Sequence, residues 1–143
     1  MLIRRMTKED ISAVVEIEKQ CFSLPWSEKS FEDSLSREDT IFLVCEDEVI
    51  TGYMGLYLSY DEASVTNVAV SPEFRKKGYG EALVAESKKQ AKEAKAETIF
   101  LEVRVSNAPA ISLYKKLGFE ELGVRKKFYE HPVEDAIIMK VGI

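Results

Sequence analysis

One tryptophan, one histidine and two cysteines stand in a chain of 143 residues, and these scarcities remove several chemistries at the outset. A single histidine, His131, cannot build a His-rich metal site, and Cys21 and Cys45 lack zinc-ligand spacing, so no metal is expected. A Ser-His-Asp hydrolase would have to recruit His131 itself, and no G-x-S-x-G turn accompanies it. Two cysteines do not make a disulfide framework, and both read as core thiols. No apolar stretch approaches the roughly 20 residues of a membrane span, and Met1-Leu2-Ile3-Arg4-Arg5 turns charged at once, unlike a secretory signal. A cytoplasmic protein without a membrane partner is the expectation. Lys and Arg number 20 against 25 Asp and Glu, a net charge of −5, which is the wrong sign for gripping nucleic acid. Any bound anion must be held locally.

What is present is globular material, 45% hydrophobic and 31% charged, with glycine and proline placed singly as punctuation. The length fits one domain over 1–143, on a prior of roughly 100 to 200 residues per domain. Leu2 to Met6 reads as a strand. Thr7 and Asp10 then resemble a helix cap, and Ile11, Val14, Val15, Cys21 and Phe22 recur at helical spacing. After the break at Ser23 to Ser27, Ser27 can cap a second short helix that carries Phe31 and Leu35. Three extended segments follow, 41–46, 49–60 and 63–70, reversed at Asp47-Glu48 and Asp61-Glu62 as in an antiparallel meander. A helix is expected over 81–96, with Leu83, Val84, Ser87, Ala91 and Ala94 on one face. A buried strand over 98–103, a helix over 108–117 closed by Gly118, and strands over 119–129 and 135–141 complete the chain. The order β-α-α-β-β-β-α-β-α-β-β implies an α/β (α+β) architecture, a mixed sheet with helices on both faces.

The most informative stretch is Arg75-Lys76-Lys77-Gly78-Tyr79-Gly80-Glu81, between a strand and a strong helix. Two glycines let the backbone turn its N–H groups outward, the helix dipole adds partial positive charge, and three cations stand beside it. That is an anion trap; a solvated charge run in a glycine-containing connection is the plain alternative. A Walker A loop would need Gly-Lys-Ser/Thr, which is absent. A Rossmann loop would need a third small residue where Leu83 stands, although Glu102 falls about where a ribose-binding acid would be.

Asn67-Val68-Ala69-Val70-Ser71-Pro72, the Arg75 to Gly80 loop, Glu102-Val103-Arg104, Asn107 and the run Ala110 to Phe119 together resemble the GCN5-related N-acetyltransferase (GNAT) family over the whole chain. Phe22-Ser23-Leu24-Pro25-Trp26-Ser27 and Glu134-Asp135-Ala136-Ile137-Ile138-Met139 are similar to its RimI group, the ribosomal-protein-alanine N-acetyltransferases. The resemblance implies the GNAT fold, a mixed sheet of about seven strands in which two central parallel strands, here 63–70 and 98–103, splay apart. It implies acetyl-CoA as cosubstrate. Val68, Ala69 and Val70 would pair with its pantetheine, Arg75, Lys76, Lys77, Gly78, Tyr79, Gly80 and Glu81 would hold its diphosphate, and Asn107 would lie close by. Trp26 and Tyr129 would wall the entry of the acceptor, a peptide or protein N-terminus, with the N-terminal alanine of small-subunit ribosomal protein eighteen favoured.

The same resemblance implies Glu102 as base and Tyr114 as acid, and chemistry agrees. An α-amino group has a reference pKa of ~8, so at neutral pH most acceptors carry a proton that must leave before attack. Glu102 ends a buried strand, where desolvation suits a carboxylate to take up a proton; a surface glutamate paired with Arg104 is the alternative. Tyr114, two helical turns after Asn107, can protonate a departing thiolate, or simply pack beside Ile111 and Leu117. The acids Glu134 and Asp135 could draw in a basic tail. Transfer is expected to be direct, without an acyl-enzyme. The competing functions are acetyl transfer to a small amine or a lysine, an acyl-CoA-binding module without turnover, and a nucleotide-binding regulator. Nothing in the sequence marks an oligomer seam.

Overall fold

Ile41-Phe42-Leu43-Val44-Cys45 is an unbroken apolar run because the strand it forms is covered on both faces. The computed structural model describes residues 1–143. Ile41, Leu43 and Cys45 point into one buried cluster with Met54, Leu83 and Leu101, while Phe42 and Val44 point into a second with Val14, Phe31 and Tyr53. The elements are β1 (Leu2–Arg5), α1 (Ile11–Cys21), α2 (Glu28–Leu35), β2 (Thr40–Asp47), β3 (Val49–Ser59), β4 (Glu62–Val70), α3 (Tyr79–Glu93), β5 (Thr98–Arg104), α4 (Ala108–Lys116), β6 (Glu120–Tyr129) and β7 (Glu134–Gly142). All seven strands form one sheet in the order β1-β2-β3-β4-β5-β7-β6. Helices α1 and α2 cover one face and α3 and α4 the other. No helix is long and apolar enough to cross a membrane.

The expected elements are all present, with shifted ends. The capping box at Thr7 and Asp10 closes a short 3-10 turn that leads into α1, and Asp10 also accepts from Arg4 Nη1 and Nη2 at 2.8 and 2.9 Å. Ser27 Oγ accepts from Ser30 N at 3.1 Å and starts α2. Helix α3 begins at Tyr79 rather than at Glu81, because the left-handed residues of the loop, Lys76 (φ +64°) and Gly78 (φ +85°), complete the turn before it and both Tyr79 and Gly80 are already helical. It ends at Glu93, before Ala94, which is exposed rather than packed.

The feature that positions the site is the junction of the two central strands. Strands β4 and β5 run parallel, yet they pair only at Glu62–Thr98, Ala63–Ile99 and Ser64–Phe100. Beyond that point β4 runs on to Val70 and β5 to Arg104 without pairing each other. On the other side β4 stays paired with β3, but the register jumps from Leu56–Val65 to Gly55–Asn67, leaving Thr66 as an extra residue. A bulge of this kind bends its strand, and this one lies where β4 leaves β5. Gly55 makes room for it: a Cβ there would collide with the Phe42 ring and lie 2.6 Å from Thr66 Oγ1.

Candidate active site

Two hollows open along the splay. One, of about 730 Å³, lies between the end of β4, the start of α3 and α4; the other, of about 860 Å³, lies between the α1–α2 loop, β5 and the β6–β7 loop. They meet at Cys21, Phe22, Val68, Asn107, Ala110 and Tyr114, which line both.

The first hollow has the chemistry of an anion and amide receptor. Gly78 O accepts from Ala82 N at 3.1 Å, which is the first helical bond of α3, so the N–H groups of Tyr79, Gly80 and Glu81 have no helical acceptor. A Cβ added at Gly78 would meet nothing within 4 Å, so this glycine is required by its positive φ rather than by packing. Ser71 N–H donates to Thr51 O at 2.8 Å toward β3, so the two-residue period of a strand turns the peptide groups of Val70 and Val68 to the open side. Val70 O accordingly accepts from Arg75 Nε at 3.3 Å. Ala69 faces the opposite way and is buried in the cluster under α1. Arg75, Lys76, Gly80 and Glu81 line this hollow, with Glu81 paired to Lys116 Nζ at 3.2 Å.

Two loop residues differ from expectation. Lys77 lines neither hollow, because its ammonium lies over the Phe74 ring, 5.6 Å from the centroid. The Tyr79 side chain turns into the core, where its hydroxyl donates to Asp47 Oδ2 at 2.7 Å, so at most its main chain is offered to a ligand. Asn107 is the cap of α4, its Oδ1 accepting from Ala110 N at 3.3 Å.

The second hollow collects Glu102, Trp26 and Tyr129. Glu102 is more exposed than a strand end suggests, its side chain 33% accessible, and it does not pair with Arg104; Arg125 Nη1 is 3.9 Å away. Arg104 instead binds the β6–β7 loop and the strand ends that flank it, donating to Pro132 O, Glu130 O and Glu134 Oε1 at 3.0–3.1 Å and stacking its guanidinium 4.4 Å from the Tyr129 centroid. Glu134 Oε2 accepts from Ser106 N at 2.7 Å while its other oxygen pairs with Arg104, and Asp135 Oδ1 accepts from Lys127 N at 2.8 Å, so of the two acids Glu134 is the one already paired with a cation. Burial, followed by the nearby Glu102 carboxylate, pushes the Tyr129 phenol up to about 12, with Arg104 opposing. Trp26 is wall and core at once, 5.2 Å from Phe31 and 6.2 Å from Phe42 between ring centroids.

Tyr114 is packed and faces the cleft as well. Its ring packs in the core, 5.5 Å from Phe119, it borders both hollows, and burial raises its phenol well above the ordinary value. Cys45 is the core thiol expected, but Cys21 is not: it stands where the hollows meet, its Sγ 3.5 Å from Val70 O and 3.4 Å from Arg75 Nη2. Burial raises the Cys21 thiol pKa, against the pull of Arg75.

One lining residue escapes a search by motif. Glu18 is only 2% exposed and projects from α1 into the second hollow. It follows Val14 by four residues and Val15 by three, so a carboxylate on the apolar stripe of α1 was the available signal.

The Acetyltransferase (GNAT) family model matches residues 11–119. The chain is 34% identical to the [ribosomal protein bS18]-alanine N-acetyltransferase of Escherichia coli K12, over 99% of this chain and 97% of that one. It is 43% identical, over 99% of this chain and 95% of the other, to a Bacillus subtilis protein to which the same activity is provisionally assigned. The crystal structure of the Escherichia coli ribosomal-protein-S18-alanine N-acetyltransferase superposes with a TM-score of 0.90 at 33% identity, covering 99% of this chain and 93% of that one. The splayed sheet, the glycine turn ahead of α3 and these matches along the chain's length have one reading: the chain belongs to the GNAT acetyltransferase family.

Proposed function

We propose that this chain is an acetyl-CoA-dependent Nα-acetyltransferase whose acceptor is the N-terminal alanine of ribosomal protein bS18. The observation that carries the reading is the meeting of the two hollows at Val68 and Tyr114, which puts a bound thioester and an entering amine within reach of the same side chain. The acceptor named here is that of the Escherichia coli relative.

The residues of the first hollow suit acetyl-CoA. The free N–H groups at the start of α3, with Arg75 and Lys76, would take the diphosphate, and the outward peptide groups of Val68 and Val70 would pair with the pantetheine as an added strand would. Bound there, acetyl-CoA supplies the activated acetyl group. Asn107 holds the first turn of α4 and so the position of Tyr114 two turns on. Glu102 takes the proton of the α-ammonium through water, which frees the nitrogen lone pair for attack. Tyr114, kept protonated by burial, gives its proton to the departing sulfur. Trp26 and Tyr129 flank the entering peptide. Cys21 lies at the junction, but a thiol held protonated is a poor nucleophile, so transfer is direct. The partner is a protein N-terminus, and the compartment is the cytoplasm.

The test is acetyl transfer from acetyl-CoA to a peptide with the first residues of bS18, beside the same peptide with a blocked N-terminus, a lysine-containing blocked peptide and a polyamine. Transfer to the free alanine alone is expected. Transfer to lysine or polyamine would replace the acceptor, and coenzyme A binding without any transfer would leave a binding module.

A further inference from the structure

The second hollow holds a carboxylate that the mechanism above does not use. Glu18 Oε1 accepts from Trp26 N at 3.1 Å and so ties α1 to the loop carrying Phe22, Leu24 and Trp26. Glu18 Oε2 is the one buried side-chain polar atom in the chain with no hydrogen-bond partner. The Asn67 amide beside it donates one N–H to Tyr53 Oη at 3.3 Å, and its second N–H is the only side-chain donor near the Glu18 carboxylate. A carboxylate buried with one oxygen unpaired is costly, and a glutamine would satisfy Trp26 N–H without burying a charge. Loop anchoring therefore accounts for one oxygen and not the other. The other carboxylates around the hollow differ: Glu134 is used by Arg104 and Ser106, and Glu102 and Glu130 are exposed. The free oxygen also sits next to the bulged stretch of β4, one residue before Val68, where the two hollows join.

We propose that Glu18 is the residue that binds the acceptor's α-amino group, its Oε2 accepting an N–H of that amine. This rests on the second hollow being the acceptor site. A carboxylate that accepts one N–H fixes the nitrogen and leaves its lone pair directed away, toward the thioester side of the cleft. The proton that departs still leaves by Glu102. Glu18 thus selects a free amine and orients it, and both effects are lost when the oxygen becomes an amide NH₂, which offers a donor where the amine also has one. Burial raises the Glu18 pKa above the usual carboxylate range, with the Trp26 N–H and then the Asn67 amide opposing, and no cation faces the group before the amine arrives.

The experiment is steady-state kinetics of Glu18→Gln with an alanine-initiated peptide and acetyl-CoA varied in turn. Glutamine keeps the bond to Trp26 N–H, so a purely structural Glu18 predicts unchanged constants. The proposal predicts a peptide KM raised by about tenfold or more, the size of one lost charged hydrogen bond, with acetyl-CoA KM unchanged. A peptide KM within about twofold of the unsubstituted protein overturns it. A second measurement does not need Glu18→Gln to fold. With coenzyme A bound, the unsubstituted protein and Glu102→Gln should both bind the amine peptide about tenfold tighter than its propionyl analogue, which lacks only the amine. Loss of that preference in Glu102→Gln overturns the assignment to Glu18. If the unsubstituted protein acetylates no peptide, the functional reading falls and this proposal with it; the other outcomes touch Glu18 alone.

Discussion

Glu102 and Tyr114 meet the second hollow from opposite environments, one solvated and one buried, and their tests differ accordingly. With Glu102→Gln, turnover on an alanine-initiated peptide should fall by about a hundredfold at neutral pH and recover as pH rises and free amine accumulates. An unchanged rate at neutral pH would remove Glu102 as base. Tyr114→Phe should slow turnover by about tenfold or more while the dissociation constant of coenzyme A, measured by calorimetry, stays put. Collapse of that affinity would make the tyrosine a packing residue only. Tyr114 also carries a signature in stability. An unfolded tyrosine loses its proton at ~10, whereas burial holds the folded one protonated beyond that. The folded-state pKa is the higher one, so the contribution is full below ~10 and is lost as pH climbs through the folded value. Tyr114→Phe should therefore flatten the alkaline limb of a stability-versus-pH curve. Both residues were legible through the family motif. Glu18 was not, because a glutamate on an apolar stripe matches no motif and signals only that the residue is buried, not what it faces.

At the scale of elements, the glycine turn and α3 are one device. Gly78 takes a left-handed conformation that costs other residues roughly 1–2 kcal/mol, and the N–H groups just after it are those left free. Gly78→Val should destabilise the fold by about that amount and abolish acetyl-CoA binding in a fluorescence or calorimetric titration; undiminished affinity would move the diphosphate elsewhere. Sequence periodicity located α3 but misplaced its start, since Tyr79-Gly80 reads as loop until Lys76 and Gly78 are seen to complete the reversal before them. Local pattern likewise could not place Lys77 or the Tyr79 side chain. One is drawn aside by an aromatic ring and the other by Asp47, a residue far off in sequence. The pairing of Glu102 with Arg104, natural for neighbours two apart on a strand, fails for a similar reason: the β6–β7 loop offers Arg104 two carbonyls, and the strand ends beside it add the Glu134 carboxylate and the Tyr129 ring.

For the whole molecule, the succession of elements and the two-sided packing followed from apolar runs, caps and turns, whereas the place of β7 between β5 and β6 and the end point of the β4–β5 pairing did not. Nothing in Ala63 to Val70 says where pairing stops; that depends on Thr66 bulging beside Gly55 and Phe42, three residues from three strands. The two halves of the sheet, β1–β4 and β5–β7–β6, are joined by only three residue pairs. Acetyl-CoA binds only the folded protein, so at a hundred times its dissociation constant it should stabilise the protein by about 2.7 kcal/mol. Hydrogen exchange should show where: the amides of Val68 and Val70 should gain protection, and equal gains across all strands would argue against pairing at β4. The narrow seam has a further consequence. A protease sampling the molecule without its coenzyme should nick it first along this line, and the same digest with acetyl-CoA should be slow, so that the lifetime of the protein would report the supply of the metabolite it consumes.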